Sequence, residues 1–170
     1  MTALTRQAEP SLPRLPTVTE SLPTLDGTRG WKLSRMPSAE LEPLIKSDTQ
    51  EAQALADFAF QAERLMAPAS KTEIAGRIEA LTVHYWTKAL DPASAKIYVQ
   101  DWLSDVGHLP PDILESACAQ WRRSDKAFMP TPGQFLAVAN PIYENRQFFI
   151  KRSKGVLERT GRASLIEDVT

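Results

Sequence analysis

Apolar residues recur at helical spacing from residue 50 onward, and this periodicity constrains the fold more than any other feature of the sequence. In "EAQALADFAFQAERLM", Leu55, Phe58, Ala62 and Leu65 fall three or four residues apart, which is typical of a helix with one buried face. No apolar–polar alternation of strand type has a useful length. Since helices with one apolar face must pack against each other, we predict an all-α fold, a small bundle of about five to six helices.

Start and stop signals divide this periodic region into separate helices. Ser70 and Glu73 form a capping box, in which each side chain accepts a hydrogen bond from the other residue's backbone. Asp91 followed by proline predicts the next helix start, since proline at the first helical position loses no needed donor. Gly107 is expected to end that helix in a left-handed conformation. Pro110 and Pro111 then introduce a further helix.

The first 49 residues have a different composition. Six of the chain's thirteen prolines lie there, among many serines and threonines, and such a segment buries too little apolar surface to fold alone. One short helix over 38–46, with Ser38 as its N-cap, is compatible with the sequence. We therefore predict a disordered proline-rich arm over 1–49, a helical domain over 50–140, and a basic C-terminal helix and tail over 141–170.

Several functional classes are disfavoured by what the chain contains. A single cysteine, Cys118, and two histidines, His84 and His108, allow neither an internal disulfide nor a zinc-finger spacing. Asp101 and Asp105 lie four apart but have no third ligand nearby. There is no glycine-rich phosphate loop and no nucleophile elbow. We expect a cytoplasmic protein without a membrane segment, with no enzymatic activity, no cofactor and no metal.

Charge is distributed unevenly along the chain, although the net charge is only −1. Residues 51–120 carry a net charge of −5 and residues 121–163 a net charge of +6, which suggests a basic end that meets an anionic partner. In the final segment, basic residues surround two phenylalanines, as in surfaces that bind single-stranded DNA. The candidate nucleic-acid-binding residues are Arg146, Lys151, Arg152, Lys154 and Arg159.

Two other interpretations of this final segment remain open. Its aromatic residues and cations also suit an amphipathic helix that enters a groove on a partner protein. Alternatively, the segment is a last helix that packs its apolar face on the bundle and leaves its charges in water.

The stretch "WRRSDKAFMPTPGQF", residues 121–135, combines basic, apolar and helix-starting signals. Cations at the end of a helix offset the partial negative charge of its last carbonyl groups. Thr131 and Gln134 form a second capping box around a proline, and Phe128 or Met129 is expected to meet Phe135 across this cap. We predict that residues 122–135, called the corner below, form a rigid reversal between two helices.

This stretch resembles the corresponding part of the lambdoid-phage replication protein P family, in which a helix with paired arginines precedes a Pro-(Ser/Thr)-Pro-Gly-Gln-Phe turn. Upstream, "YVQDWLSDVGHLPPDILESACAQWRR" has a similar layout, so that the resemblance covers roughly residues 70–140. Two parts differ: the N-terminal arm has no counterpart, and only about 30 residues follow Pro141, whereas the family's helicase-gripping region lies largely C-terminal.

The resemblance implies an all-helical protein that binds the DnaB-type replicative helicase of a host, and loads it onto single-stranded DNA or inhibits it. A phage origin-binding initiator is a second implied partner. A DNA-binding regulator and a phage inhibitor of another host protein are the alternative functions. The candidate partner-binding residues are Arg122, Arg123, Lys126, Phe128, Met129, Tyr143, Phe148 and Phe149.

Overall fold

The computed structural model describes residues 25–85 and 91–167. These residues form eight helices and no strand, which confirms the predicted all-α fold, although the helices are more numerous than the predicted five to six. The helices are α1 (Arg29–Ser34), α2 (Ser38–Ser47), α3 (Thr49–Arg64), α4 (Lys71–Tyr85), α5 (Pro92–Val106), α6 (Pro111–Arg123), α7 (Pro132–Arg159) and α8 (Ser164–Glu167).

Two groups of helices share α7. The first half of α7 packs against α4, α5 and α6 around a core that includes Trp102, Trp121 and Phe135. The second half of α7 packs against α1, α2 and α3 through two smaller apolar clusters. We call these groups the α4–α6 half and the α1–α3 half, and α7 is the element that runs through both.

The predicted helix starts are confirmed by their hydrogen bonds. Ser70 N–H donates to the Glu73 carboxylate at 2.8 Å, and Glu73 N–H donates to Ser70 Oγ at 3.2 Å. Asp91 accepts from the backbone of Ala93 and Ser94, both at 3.1 Å. Because these contacts satisfy donors that a helix leaves unpaired at its first turn, sequence signals alone locate α4 and α5.

The predicted disordered arm is wrong for residues 29–47, which form α1 and α2; residues 1–24 lie outside the described part. The short helix that the sequence allowed over 38–46 is present as α2, with Pro37 and not Ser38 as its N-cap. Leu33, Leu41 and Ile45 are fully buried in the α1–α3 half. Each of the two helices is too short to show a clear apolar period, and Pro43 lies inside α2. Their order comes from burial against α3 and α7, which local sequence does not reveal.

The predicted boundary at residue 140 does not exist either, since α7 is a continuous helix of 28 residues across Pro141. Proline lacks the N–H that would bond the carbonyl four residues earlier, and this normally kinks or ends a helix. Here Ala139 and Ile142 are both buried in the same core. Packing on each side of the proline therefore keeps α7 helical. The predicted domain over 50–140 is also incomplete, because α3 packs against α1, α2 and the second half of α7.

Arg146 lies on α7 where the two halves meet. Its side chain is 0% exposed. The guanidinium donates to the Leu65 carbonyl at 3.0 Å, at the end of α3, and to Asp112 Oδ1 at 3.2 Å, in the first turn of α6; a second bond to this carboxylate completes a bidentate pair. One cation thus joins α3, α6 and α7.

Two glycines are required by close approach. A Cβ at Gly30 would lie 2.0 Å from the Ala54 carbonyl oxygen and 2.6 Å from Phe58 Cβ, so that only glycine lets α1 contact α3. Gly107 was expected in a left-handed conformation, but its φ is −61°. A Cβ at this position would lie 2.4 Å from the Leu103 carbonyl oxygen. Glycine is therefore required by this close approach, and not by a left-handed backbone at the end of the helix.

We predict that Gly30→Ala destabilises the protein by about 1–3 kcal/mol, because the added methyl group must displace α1 from α3. The matched control is Gly76→Ala, where a Cβ meets nothing within 4 Å on an exposed face of α4 and alanine favours the helix by about 0.5–1 kcal/mol. Urea unfolding of both variants measures the difference. Equal stability of the two variants would contradict the close approach.

We predict that Arg146→Met lowers the free energy of unfolding by about 3 kcal/mol, because a broken buried pair leaves Asp112 and the Leu65 carbonyl without their donor. Arg123→Met is the control, since this exposed arginine should change stability by less than about 0.5 kcal/mol. Thermal and urea unfolding measure both. Similar midpoints would show that the contact does not hold the halves together.

Candidate functional site

The predicted nucleic-acid-binding residues of the C-terminal segment are mostly engaged inside the fold. Arg146 as a phosphate contact is wrong, because the side chain is fully buried and paired with Asp112. Its neighbours one turn away on the same face of α7, Ile142 and Ile150, are buried apolar residues. The sequence pattern of a basic helix with aromatics does not distinguish such a buried cation from an exposed one.

Three further cations of this segment tie α7 to the N-terminal helices. Arg152 donates to the backbone carbonyls of Ser34 and Met36 at the end of α1. Lys154 pairs with Glu63 on α3, and Arg159 pairs with Glu42 on α2, both at 2.7 Å.

Lys151 differs from these three because it is exposed and makes no ion pair within the described residues. Most cations of the C-terminal segment thus have partners within the fold, in agreement with the interpretation of this segment as a packing helix, although the partly exposed Lys154–Glu63 and Arg159–Glu42 pairs contribute little to stability.

The corner is fixed by hydrogen bonds to the last turn of α6. Trp121 Nε1–H donates to the Phe128 carbonyl at 3.2 Å, and Ser124 Oγ–H donates to the Trp121 carbonyl at 2.7 Å. Tyr85 Oη reaches the same Trp121 carbonyl at 3.4 Å. Since Trp121 is itself buried in the α4–α6 core, its indole holds the reversing backbone in one position.

The second part of the corner contains the predicted capping box. Thr131 N–H donates to Gln134 Oε1 at 3.0 Å, and Gln134 N–H donates to Thr131 Oγ1 at 3.3 Å. Between these two anchors, Met129 packs against the core that contains Phe135. Met129, and not Phe128, is therefore the residue of this pair that packs on the core beside the cap.

Phe128 points away from the core and is 80% exposed. A single exposed aromatic side chain is common on protein surfaces. At Phe128, however, the backbone carbonyl is bonded to the buried Trp121, and the neighbouring Met129 is half-buried. The corner therefore holds the backbone of Phe128 in position and leaves its ring in solvent.

Three cations lie close to Phe128 in the amino-acid sequence. Arg122, Arg123 and Lys126 are exposed, and Asp125 is the acidic residue among them. A guanidinium nitrogen of Arg122 lies 3.5 Å from a carboxylate oxygen of Glu115. Both side chains are partly exposed, and an ion pair of this kind contributes little to stability. Within the described residues, Arg123 and Lys126 make no ion pair. The corner thus offers an exposed aromatic ring beside accessible positive charge.

The other predicted partner-binding residues do not form one surface with the corner. Tyr143 packs on the α4–α6 core and stacks edge-on against His108 at 5.4 Å. Phe149 packs on the α1–α3 half. Phe148 is 57% exposed, with its ring 5.3 Å from that of Phe149. Of the α7 candidates, only Phe148 presents a large apolar side chain to solvent.

Two exposed apolar residues were not singled out from the sequence. Val83 on α4 is 75% exposed and Ile97 on α5 is 61% exposed. Both lie off the apolar stripes of their helices, and this offset is the signal that could have revealed them. A groove of about 290 Å³ also lies between α4 and α6, lined by Thr72, Glu73, Gly76, Arg77, Ala80, Pro111 and Leu114.

Among the described residues, few side chains are suited to nucleophilic or metal-dependent chemistry. Burial raises the pKa of the Cys118 thiol to about 11, so that the nucleophilic thiolate is scarce at neutral pH. In residues 25–85 and 91–167, no three His, Cys, Asp or Glu side chains gather in an arrangement that could hold a metal ion. Over the same residues, no helix is long and apolar enough to span a membrane.

We predict that Thr131→Val destabilises the protein by about 1 kcal/mol, because the nearly isosteric side chain cannot accept the Gln134 N–H bond at the start of α7. Thr72→Val is the control, since Thr72 is exposed on α4 and its hydroxyl caps no helix. Urea unfolding compares the two. A Thr131 variant as stable as its control would show that the cap does not fix the corner.

Comparison with known proteins finds no match for this chain among protein-family models, curated proteins or solved structures.

Proposed function

We propose that this chain is a phage or prophage DNA replication accessory protein that binds the DnaB-type replicative helicase of its host and loads or inhibits it. The observation that carries the proposal is the corner. The stretch that resembles the protein P family presents Phe128 to solvent beside Arg122, Arg123 and Lys126.

The chain acts by binding and without catalysis in this proposal. Its single thiol is buried with a raised pKa, and the rigid corner offers apolar and charged contacts, as residues at the centre of protein interfaces do. Single-stranded DNA and a phage origin-binding initiator are further partners that the resemblance suggests.

The contacts of α7 favour this function over that of a DNA-binding regulator. Affinity for DNA comes largely from cations that neutralise phosphates. In the predicted DNA-binding set, Arg146, Lys154 and Arg159 are paired with carboxylates and Arg152 with backbone carbonyls. Such a regulator would have to break these contacts.

We expect native mass spectrometry of this chain mixed with the host helicase to show a complex of defined stoichiometry. An unwinding assay on single-stranded circles then separates the two roles, since a loader raises helicase activity on protein-coated DNA and an inhibitor lowers it. The folded state of the chain is checked by circular dichroism. No complex at micromolar concentration, with the chain folded, would contradict the proposed function.

A further inference from the structure

Phe128 differs from the other exposed apolar residues in what surrounds it. Val83, Ile97 and Phe148 lie on helices, whereas Phe128 lies on a reversal held between the Trp121 indole and the Thr131 cap. Because the backbone at Phe128 is already ordered, a partner that covers the ring has to order only the side chain. These constraints make Phe128 a suitable anchor for a pocket on another molecule.

The charge around this anchor restricts what the partner can be. Three cations, Arg122, Arg123 and Lys126, lie within six residues of Phe128, with Asp125 as the only acid between them. Arg122 and Arg123 also lie in the last turn of α6, where the helix dipole already favours positive charge. A complementary surface must carry negative charge close to an apolar pocket.

We propose that the corner docks on an acidic segment of the partner protein that surrounds an apolar pocket. Phe128 fills the pocket, while Arg122, Arg123 and Lys126 pair with carboxylates at its edge. This inference rests on the proposed function, in which the partner is the replicative helicase. It adds the chemistry of the contacted segment and the residues that recognise it.

The same side chains would also suit a base stacked on Phe128 with phosphates on the cations, but the surroundings favour a protein segment. Nonspecific single-strand binding uses successive aromatic platforms along a basic groove, whereas the corner displays one ring.

The test measures the affinity of the full-length chain for the helicase by biolayer interferometry, with two matched pairs of variants. Phe128→Ala is expected to weaken binding at least about 30-fold, as truncation of a central anchor does. Ile97→Ala removes another exposed apolar side chain, on α5, and is expected to change affinity less than about 3-fold, within the range of peripheral contacts.

The contribution of the corner's positive charge to the association rate is tested with a second pair of variants. The double variant Arg122→Glu/Arg123→Glu is expected to slow association and to remove its dependence on salt, because steering by exposed charges is screened beyond about 8 Å at physiological ionic strength. Lys96→Glu reverses an exposed cation on α5 and is expected to leave the association rate and its salt dependence unchanged.

A photo-crosslinker at position 128 identifies the contacted segment, and a helicase peptide with an excess of Asp and Glu supports the proposal. Helicase binding that is equal for Phe128→Ala and Ile97→Ala, or a crosslinked peptide without excess acid, would overturn the docking proposal and leave the proposed function intact. Loss of single-stranded DNA binding, with helicase affinity unchanged, would make the corner a nucleic-acid surface. No binding by the unmodified chain would overturn the proposed function itself.

Discussion

The contact between Arg146 and Asp112 is the constraint on which the arrangement of the two halves depends. A guanidinium without access to water needs compensation for its lost hydration. Asp112 at the start of α6 and the Leu65 carbonyl at the end of α3 supply this compensation together. Because Arg146 lies on α7, which carries apolar residues of both halves, the three helices cannot shift independently without leaving a buried charge unpaired.

The remaining cations of α7 extend this role toward the N-terminus. Arg152 satisfies carbonyls at the end of α1, and Lys154 and Arg159 reach carboxylates on α3 and α2. The uneven charge along the chain is therefore partly a device that joins segments distant in sequence. At the corner, by contrast, Arg123 and Lys126 are exposed without an ion pair among the described residues, and the side chain of Phe128 points outward while Met129 packs inward.

Features that depend on local hydrogen bonds or on long apolar periods could be predicted. The capping boxes at Ser70 and Thr131 and the buried stripe of α6 needed only the residues that form them. The order of α1 and α2 could not be predicted, because each is stabilised by burial against helices far along the chain. The sequence also left open which of Phe128 and Met129 is buried, because two adjacent apolar residues in a turn show no helical or strand periodicity.

The helical character of the chain, the start of most helices and the reversal after α6 can all be predicted from the amino-acid sequence. These properties arise from interactions within a few residues of each other. Long-range packing is needed to establish that α7 continues through Pro141, that α1 and α2 belong to the folded body, and that Arg146 is buried and not available to phosphates. Each of these depends on burial among segments that the linear sequence keeps apart.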